Sequence, residues 1–130
     1  LRNARINFRQ YEKSHLMENL IYNEMRVRGF NVDVGTVPTY TKNEEGKPQR
    51  TNLEVDFVCN IGSRRYYIQS AYRMESEEKI KQERASLLKV DDSFKKIIIL
   101  GEECPVTRDE QGITTMSVFD FLLRENSLEL

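Results

Sequence analysis

The stretch from Asn52 to Arg73, NLEVDFVCNIGSRRYYIQSAYR, decides the fold, because its pattern predicts two β-strands joined by a tight turn. Apolar and polar residues alternate from Leu53 to Asn60, and this period of two is typical of a half-buried strand. Ile61-Gly62-Ser63 has turn chemistry, and the residues from Arg64 to Tyr72 are rich in aromatic side chains that suit a second strand. The stretch therefore predicts a β-hairpin.

The alternation also predicts which side chains share a face of this hairpin. In an unbroken first strand, one face carries the apolar residues Leu53, Val55, Phe57 and Cys59. The opposite face then carries Glu54, Asp56, Val58 and Asn60. On the second strand, Gln69 shares its face with Tyr67, Ala71 and Arg73. An acid-bearing strand is therefore expected beside a strand that carries an amide.

Size and composition are those of one ordinary domain. The chain has 130 residues, of which 38% are hydrophobic and 32% charged. This length is enough for one core. The formal net charge of -1 argues against nucleic-acid binding driven by bulk charge, although a local basic patch stays open. No apolar run approaches the roughly 20 residues that span a bilayer, so no membrane contact is expected.

Cysteine usage and the start of the chain suggest where the protein works. Cys59 and Cys104 are far apart and lack zinc-ligand spacing, which favours reduced thiols in a cytoplasmic protein. Cys59 alternates with core residues and is expected to be buried. The chain begins at Leu1 without a methionine, so we expect part of a longer protein.

Hydrophobic periodicity extends the fold prediction to the rest of the chain. The predicted elements are a helix at about 11–28, strands at 30–37, 53–60 and 64–72, a helix at about 77–90, a strand at 95–100, a small strand at 113–116 and a helix at 118–123. This order predicts an α/β domain in which helices flank a mixed central sheet. Residues 1–10 are predicted to be a linker from an upstream domain, and 11–130 a single domain.

An acid on the second strand and a polar residue on the third, within the order αβββαβ, resemble the PD-(D/E)xK nucleases and their restriction-endonuclease-like fold. In that family an Asp on one strand and the (D/E)xK tripeptide on the next hold a divalent metal ion, and the Lys orients or activates the attacking water. A Glu on a helix often completes the set of ligands. Phosphodiester cleavage needs such a hard cation among oxygen ligands.

A closer resemblance covers nearly the whole chain. It is carried by FRQYEKSHLMENLIYNEMRVRGFNVDVG (8–35), LEVDFVCNIGSRRYYIQSAY (53–72), SFKKIIIL (93–100) and GITTMSVFDFLL (112–123). These segments resemble the C-terminal domain of unknown function that follows an AAA+ ATPase domain in a large family of prokaryotic ATP-binding proteins. The resemblance implies that an upstream AAA+ domain is a partner. The chain has no GxxxxGK[ST] loop, so ATP hydrolysis would belong to that domain.

The resemblance also implies a site and a defect in it. By position, Glu18 would be the helix acid, Asp56 the strand acid and Gln69 the second strand ligand. Mg²⁺ or Mn²⁺ would bind Glu18 and Asp56 if the site were active. Gln69-Ser70-Ala71, however, stands where nucleases keep (D/E)xK, with an amide for the carboxylate and a methyl for the ammonium. Loss of one well-placed electrostatic stabiliser commonly costs about two to three orders of magnitude in rate.

Basic and aromatic residues around the hairpin suggest contacts with nucleic acid. Arg64, Arg65, Arg73 and Tyr67 are the candidates, since guanidinium groups bind phosphates and aromatic rings stack on bases. Ordinary packing of the tyrosines in the hairpin is the alternative. His15, the only histidine, either contacts a phosphate or packs locally.

The predicted function is a degenerate nuclease-like accessory or recognition domain at the C-terminus of an AAA+ ATP-binding protein, without enzymatic activity or a cofactor of its own. One alternative is an active metal-dependent nuclease that uses Glu18, Asp56 and the carbonyl of Gln69. A further alternative is a protein-interaction domain with no role in nucleic-acid binding. Nucleic acid or another protein is accordingly the expected partner besides the ATPase domain.

Overall fold

A computed structural model of the chain describes the backbone of residues 2–42, 44–72, 77–90 and 92–130, and the side chains of 12–35, 42, 44–49, 54–72, 81–90 and 92–130. The elements in these ranges are α1 (Arg2–Val27), β1 (Asn31–Lys42), β2 (Pro48–Ile61), β3 (Arg64–Ala71), α2 (Glu77–Leu88), β4 (Lys95–Leu100), β5 (Thr107–Arg108), β6 (Ile113–Ser117), α3 (Val118–Leu123) and a 3-10 helix (Ser127–Glu129). The predicted order of helix, three strands, helix and strand is confirmed.

The strands form one mixed sheet in the order β1-β2-β3-β4-β6-β5. β1, β2 and β3 are antiparallel neighbours. β3, β4 and β6 run parallel, while β5 is antiparallel to β6. The prediction of an α/β fold with a mixed sheet flanked by helices is therefore confirmed. The three parallel strands give the sheet a carboxyl edge, where they end, and an amino edge, where they begin.

Apolar layers cover both faces of the sheet. Met17, Ile21 and Met25 of α1 pack on one face against residues that include Phe57 and Ile68. Leu87 and Val90 cover the opposite face at α2. In β4, Ile97 and Ile99 enter the first layer while Ile98 and Leu100 enter the second, so these four residues are buried, whereas Lys95 and Lys96 at the start of the strand are partly exposed.

Helix α1 begins earlier than its apolar periodicity predicts. It begins at Arg2 instead of about Tyr11, so the linker predicted at 1–10 is helical from Arg2 onward, and its connection to another domain stays a prediction. The helix ends as predicted at Gly29, whose φ of 95° is left-handed. Arg28 then donates hydrogen bonds to Phe121 O at 2.7 Å and Ser127 Oγ at 2.8 Å, which fix α1 to α3. No helix in the described ranges, α1 included, has the length and apolar content to cross a membrane.

Strand β1 continues past the proline expected to end it. Pro38 pairs with Asn52, and the β1–β2 ladder extends to Lys42 and Pro48. A proline is tolerated here because β1 is an edge strand, where one row of N–H groups has no ladder partner. The connection between β1 and β2 is therefore a short turn that contains Gly46.

Candidate functional site

A β-bulge in β2 controls where Asp56 points. Asp33 pairs with Val58 and Gly35 with Val55, so Asp56 and Phe57 of β2 lie opposite the single residue Val34. A bulge bends the strand and re-aims the side chains at that point. Gly35 has a φ of 138°, a conformation that L side chains rarely adopt, which explains the glycine beside the bulge.

The bulge overturns the predicted face assignment of β2. Val55 belongs to the apolar layer beside α2, whereas Phe57 and Cys59 belong to the layer beside α1. The prediction that these three residues share one face is wrong, because the extra residue shifts the alternation by one position. The side chain of Leu53, predicted on the same face, lies outside the described residues. Cys59 is buried as predicted, and burial raises the pKa of its thiol to about 12.

Side chains replace backbone pairing next to the bulge. The β2–β3 ladder reaches Phe57 and Ile68 and goes no further. Beyond it, Gln69 Oε1 accepts the N–H of Asp56 at 2.8 Å, and Gln69 Nε2 donates to Glu54 O at 3.4 Å. Asp56 Oδ2 in turn accepts from Ser70 N at 2.9 Å and Ser70 Oγ at 3.1 Å. We call these four hydrogen bonds the clasp.

The clasp explains why an amide suits position 69. Gln69 is only 3% exposed, and it must accept from one main-chain group and donate to another. A neutral amide has both a donor and an acceptor, whereas an ionised carboxylate can only accept. Gln69 is therefore a structural link between β2 and β3 next to Asp56.

Glu18 and Asp56 line one cleft between α1 and the sheet. This acidic cleft has a volume of about 200 Å³ and is lined by His15, Glu18, Asn19, Tyr22, Val34, Asp56 and Phe57. Glu18 Oε2 lies 3.6 Å from His15 Nδ1, and the two side chains are 40% and 60% exposed. Gln69 does not line the cleft but contacts it through the clasp. Two of the three predicted site residues, Glu18 and Asp56, thus share a cavity. The third, Gln69, accepts a hydrogen bond from the main chain of Asp56.

The donor set does not fit a nuclease metal centre. No three His, Cys, Asp or Glu side chains among the described residues come together as metal ligands. Gln69 Oε1 is engaged by Asp56 N–H, and Asp56 Oδ2 by Ser70. Ala71, which the resemblance would align with the nuclease lysine, is buried with 3% exposure. The cleft therefore lacks a third anionic ligand and an ammonium group to orient water.

The predicted nucleic-acid contacts lie elsewhere or are inaccessible. Tyr67 is 1% exposed and donates a hydrogen bond to Asp92 Oδ2 at 2.5 Å, so its side chain is packed in the interior, as the alternative of ordinary packing expects. Burial is the main cause that raises the pKa of its hydroxyl, and the hydrogen bond to Asp92 adds to it. Arg64 and Arg65 are exposed at the hairpin turn, at the other end of the β2–β3 ladder from the clasp. Arg73 lies outside the described residues.

A second cavity lies at the amino edge of the sheet. This basic groove has a volume of about 260 Å³ and is lined by Asp92, Ser93, Phe94, Lys95, Lys96, Arg108, Gln111 and Gly112. Desolvation, helped by the positive charge of Arg108, lowers the pKa of Lys95. The sequence analysis does not predict this groove, because it treats KKIIIL only as a strand. The two lysines that begin this strand were the available signal.

Comparison with known proteins gives one weak similarity. No protein-family model matches the chain. A protein of Haemophilus influenzae named "Uncharacterized protein" is 29% identical over 108 residues, which cover 83% of this chain and 23% of that protein. The chain thus spans less than a quarter of the length of this relative, whose name assigns no activity.

Proposed function

We propose that the chain is a nuclease-like domain without metal-dependent cleavage activity, which serves as an accessory or recognition domain of a longer AAA+ ATP-binding protein. The engagement of Gln69 in the clasp carries this proposal, because its amide oxygen accepts the Asp56 N–H at 2.8 Å. At the position where the resemblance calls for a metal ligand, the chain has a buried structural group.

Two further observations support a non-catalytic role. The buried methyl of Ala71 stands at the position of the water-orienting lysine, so no ammonium is supplied from this strand. Glu18 is 40% exposed, and an acid exposed to that extent is screened by water. A cleft with these groups offers a dication only partial neutralisation.

The proposal that the chain is part of a longer protein is supported by the Haemophilus influenzae protein. The matched segment makes up 23% of the Haemophilus influenzae protein, so a homologous segment occurs there beside much additional sequence. An AAA+ domain within that additional sequence is the proposed partner. Sequencing the gene upstream of the codon for Leu1 tests this, and absence of a GxxxxGK[ST] motif there would contradict the ATPase assignment.

Metal titration tests the loss of catalysis. We expect calorimetric titration of Mg²⁺ and Mn²⁺ into the chain to give no saturable heat. Single-stranded and double-stranded nucleic acids should remain uncleaved when they are incubated with the chain and either ion. Asp56→Asn is the matched variant, because it removes the charge and keeps an oxygen for Ser70. Saturable binding that disappears in this variant would overturn the proposal.

An active nuclease is the second candidate, favoured by one observation. Glu18 and Asp56 line the same cleft, and two carboxylates with substrate phosphates can hold Mg²⁺. This candidate requires metal-dependent cleavage that both Glu18→Gln and Asp56→Asn abolish. The titration above therefore separates the two candidates directly.

A further inference from the structure

We propose that the basic groove binds the phosphate backbone of a single-stranded nucleic acid. Among the described residues that line it, three are cations, Lys95, Lys96 and Arg108, and one is an acid, Asp92. The groove lies at the amino edge of the sheet, whereas the acidic cleft lies near the carboxyl edge of β3. The inference is therefore independent of the chemistry proposed for the cleft.

Main-chain contacts hold the lysines at the groove. Lys95 Nζ donates to Leu128 O at 2.7 Å and Leu130 O at 2.9 Å. Lys96 Nζ donates to Asp92 O at 2.9 Å and Phe94 O at 3.1 Å. A neutral carbonyl such as Leu128 O fixes an ammonium in place without neutralising its charge. Because β4 alternates between the two faces of the sheet, the Lys95 ammonium lies on the face of Leu128 and the Lys96 ammonium on the face of Tyr67, so the two cations flank the amino edge from opposite sides.

The carboxylates near the lysines are engaged by other groups. Asp92 Oδ2 accepts the Tyr67 hydroxyl, and its Oδ1 accepts Phe94 N at 3.0 Å and lies 3.6 Å from Lys96 Nζ. Glu129 raises the pKa of Lys95, but its Oε1 accepts the Tyr66 hydroxyl at 2.8 Å. Neutral donors leave both carboxylates charged, so Asp92 offsets part of the Lys96 charge and Glu129 part of the Lys95 charge, and Arg108 is the third cation among the described residues that line the groove.

Neighbouring groups fit a nucleic-acid strand better than an isolated anion. Phe94 lines the groove and keeps 38% of its surface exposed, which offers a face for a base. Arg65 lies with its guanidinium 5.6 Å from the centre of the Phe94 ring, and Arg64 precedes it at the turn. Cations beside an exposed aromatic ring are the usual combination in proteins that bind single strands.

The test is fluorescence anisotropy of a labelled single-stranded oligothymidine of about 12 nucleotides, with a chelator present so that neither metal binding nor cleavage contributes. We expect micromolar affinity at about 25 mM salt that weakens steadily towards about 200 mM. Three phosphate contacts predict a slope of log K against log salt of about -2, because each contact on a single strand contributes about -0.7.

Matched variants locate the contact. Arg108→Gln should weaken binding roughly three- to tenfold and make the slope shallower by about 0.7. Lys47→Gln removes the same charge at a 75% exposed site in the β1–β2 turn and should leave binding unchanged. Gln111→Glu keeps an acceptor for Arg84, adds a negative charge to the groove, and should also weaken binding. Circular dichroism of each variant confirms that it is folded.

Four results would overturn the inference. The first is no anisotropy change at the lowest salt. The second is equal affinity for Arg108→Gln, Gln111→Glu and Lys47→Gln, since binding would then not involve the groove. The third is displacement of the strand by a phosphoserine peptide of equal charge at equal concentration, which would exclude a preference for nucleic acid. Tighter binding by Asp56→Asn would place the strand at the acidic cleft and also count against the groove.

Discussion

The two ends of the sheet use the same device with opposite charge. At the acidic cleft, Asp56 and Gln69 bind main-chain groups of adjacent strands through the clasp. At the basic groove, Lys95 and Lys96 bind main-chain carbonyls of the C-terminal residues and of the preceding loop. The two ends differ in which groups stay available for a ligand. The clasp occupies the amide of Gln69 with main-chain hydrogen bonds, whereas the lysines at the groove keep their positive charges. The presence of polar residues at the acidic cleft is therefore no argument for catalysis. The positive charges at the basic groove favour binding of an anion.

Replacing Gln69 by Leu removes two of the four hydrogen bonds of the clasp while keeping a side chain of similar size. We expect the free energy of unfolding to fall by about 3 to 4 kcal/mol, because the Asp56 N–H and the Glu54 carbonyl lose their partner in a buried place. Urea denaturation measures this. Glu54→Ala, at an exposed side chain on the neighbouring strand β2, keeps the main-chain acceptor and should change stability by less than about 0.5 kcal/mol. Equal effects of both variants would show that the clasp contributes nothing.

Gln69→Glu asks whether a carboxylate at this position restores a ligand or breaks the clasp. Burial and the nearby Asp56 carboxylate raise the pKa of the introduced acid in the folded state. Its stabilising contribution is then complete below the unfolded pKa and disappears as pH rises through the folded one. We expect a loss of about 2 to 3 kcal/mol at pH 8 and about 1 kcal/mol at pH 5, where the protonated acid both donates and accepts. Saturable Mg²⁺ binding by this variant without loss of stability would contradict the structural role.

Tyr67→Phe probes the link that engages Asp92 at the groove. A hydrogen bond to a charged group contributes roughly 1.5 to 2 kcal/mol, and we expect that loss at pH 7. Since the folded pKa of Tyr67 is raised above 10.0, its contribution is complete below that pH and is lost as pH rises through the folded value. The difference between wild type and variant should therefore shrink above pH 10, measured by denaturation at both pH values. A difference that stays constant would exclude a role for the hydroxyl.

Thr114 of β6 tests a buried hydroxyl that belongs neither to the clasp nor to the lining of the groove. Its side chain is fully buried, and its hydroxyl has no hydrogen-bond partner among the described residues. Thr114→Val keeps the shape and removes the unpaired hydroxyl, so we expect stability to rise by up to about 1 kcal/mol. Thermal unfolding detects this as a higher Tm, and Thr115→Val on the neighbouring position is the control. A lower Tm in Thr114→Val would indicate that the hydroxyl has a partner.

Periodicity predicts the order of elements well and fails at local exceptions. The buried run KKIIIL and the helix end at Gly29 follow from patterns that extend over several residues. The face of Val55 does not, because a bulge adds one residue without leaving a mark in the alternation. The apolar stripe from Leu16 to Met25 predicts a helix that starts near residue 11, because only these residues show the helical period clearly. The residues before them contain no proline or glycine, so the helix can extend back to Arg2.

The candidate site was predictable only as a set of residue types. The resemblance named Glu18, Asp56 and Gln69, of which the structure brings the first two to one cleft and gives the third a buried position. That Gln69 donates and accepts within the backbone depends on how two strands separate, which is a three-dimensional property. Burial of Tyr67 was likewise hidden, since aromatic residues serve both packing and stacking.

The bulge at Asp56 has a genetic consequence. Deleting the codon for Asp56 would let Val55 directly precede Phe57, and strict alternation would then hold with Val55 still in the layer beside α2 and Phe57 still in the layer beside α1. Insertion of one codon into a strand without a bulge would create the bulge and add one side chain to the face of the cleft. The cleft can thus gain or lose an acid through strand length alone, so homologues should be compared by indels as well as by substitutions.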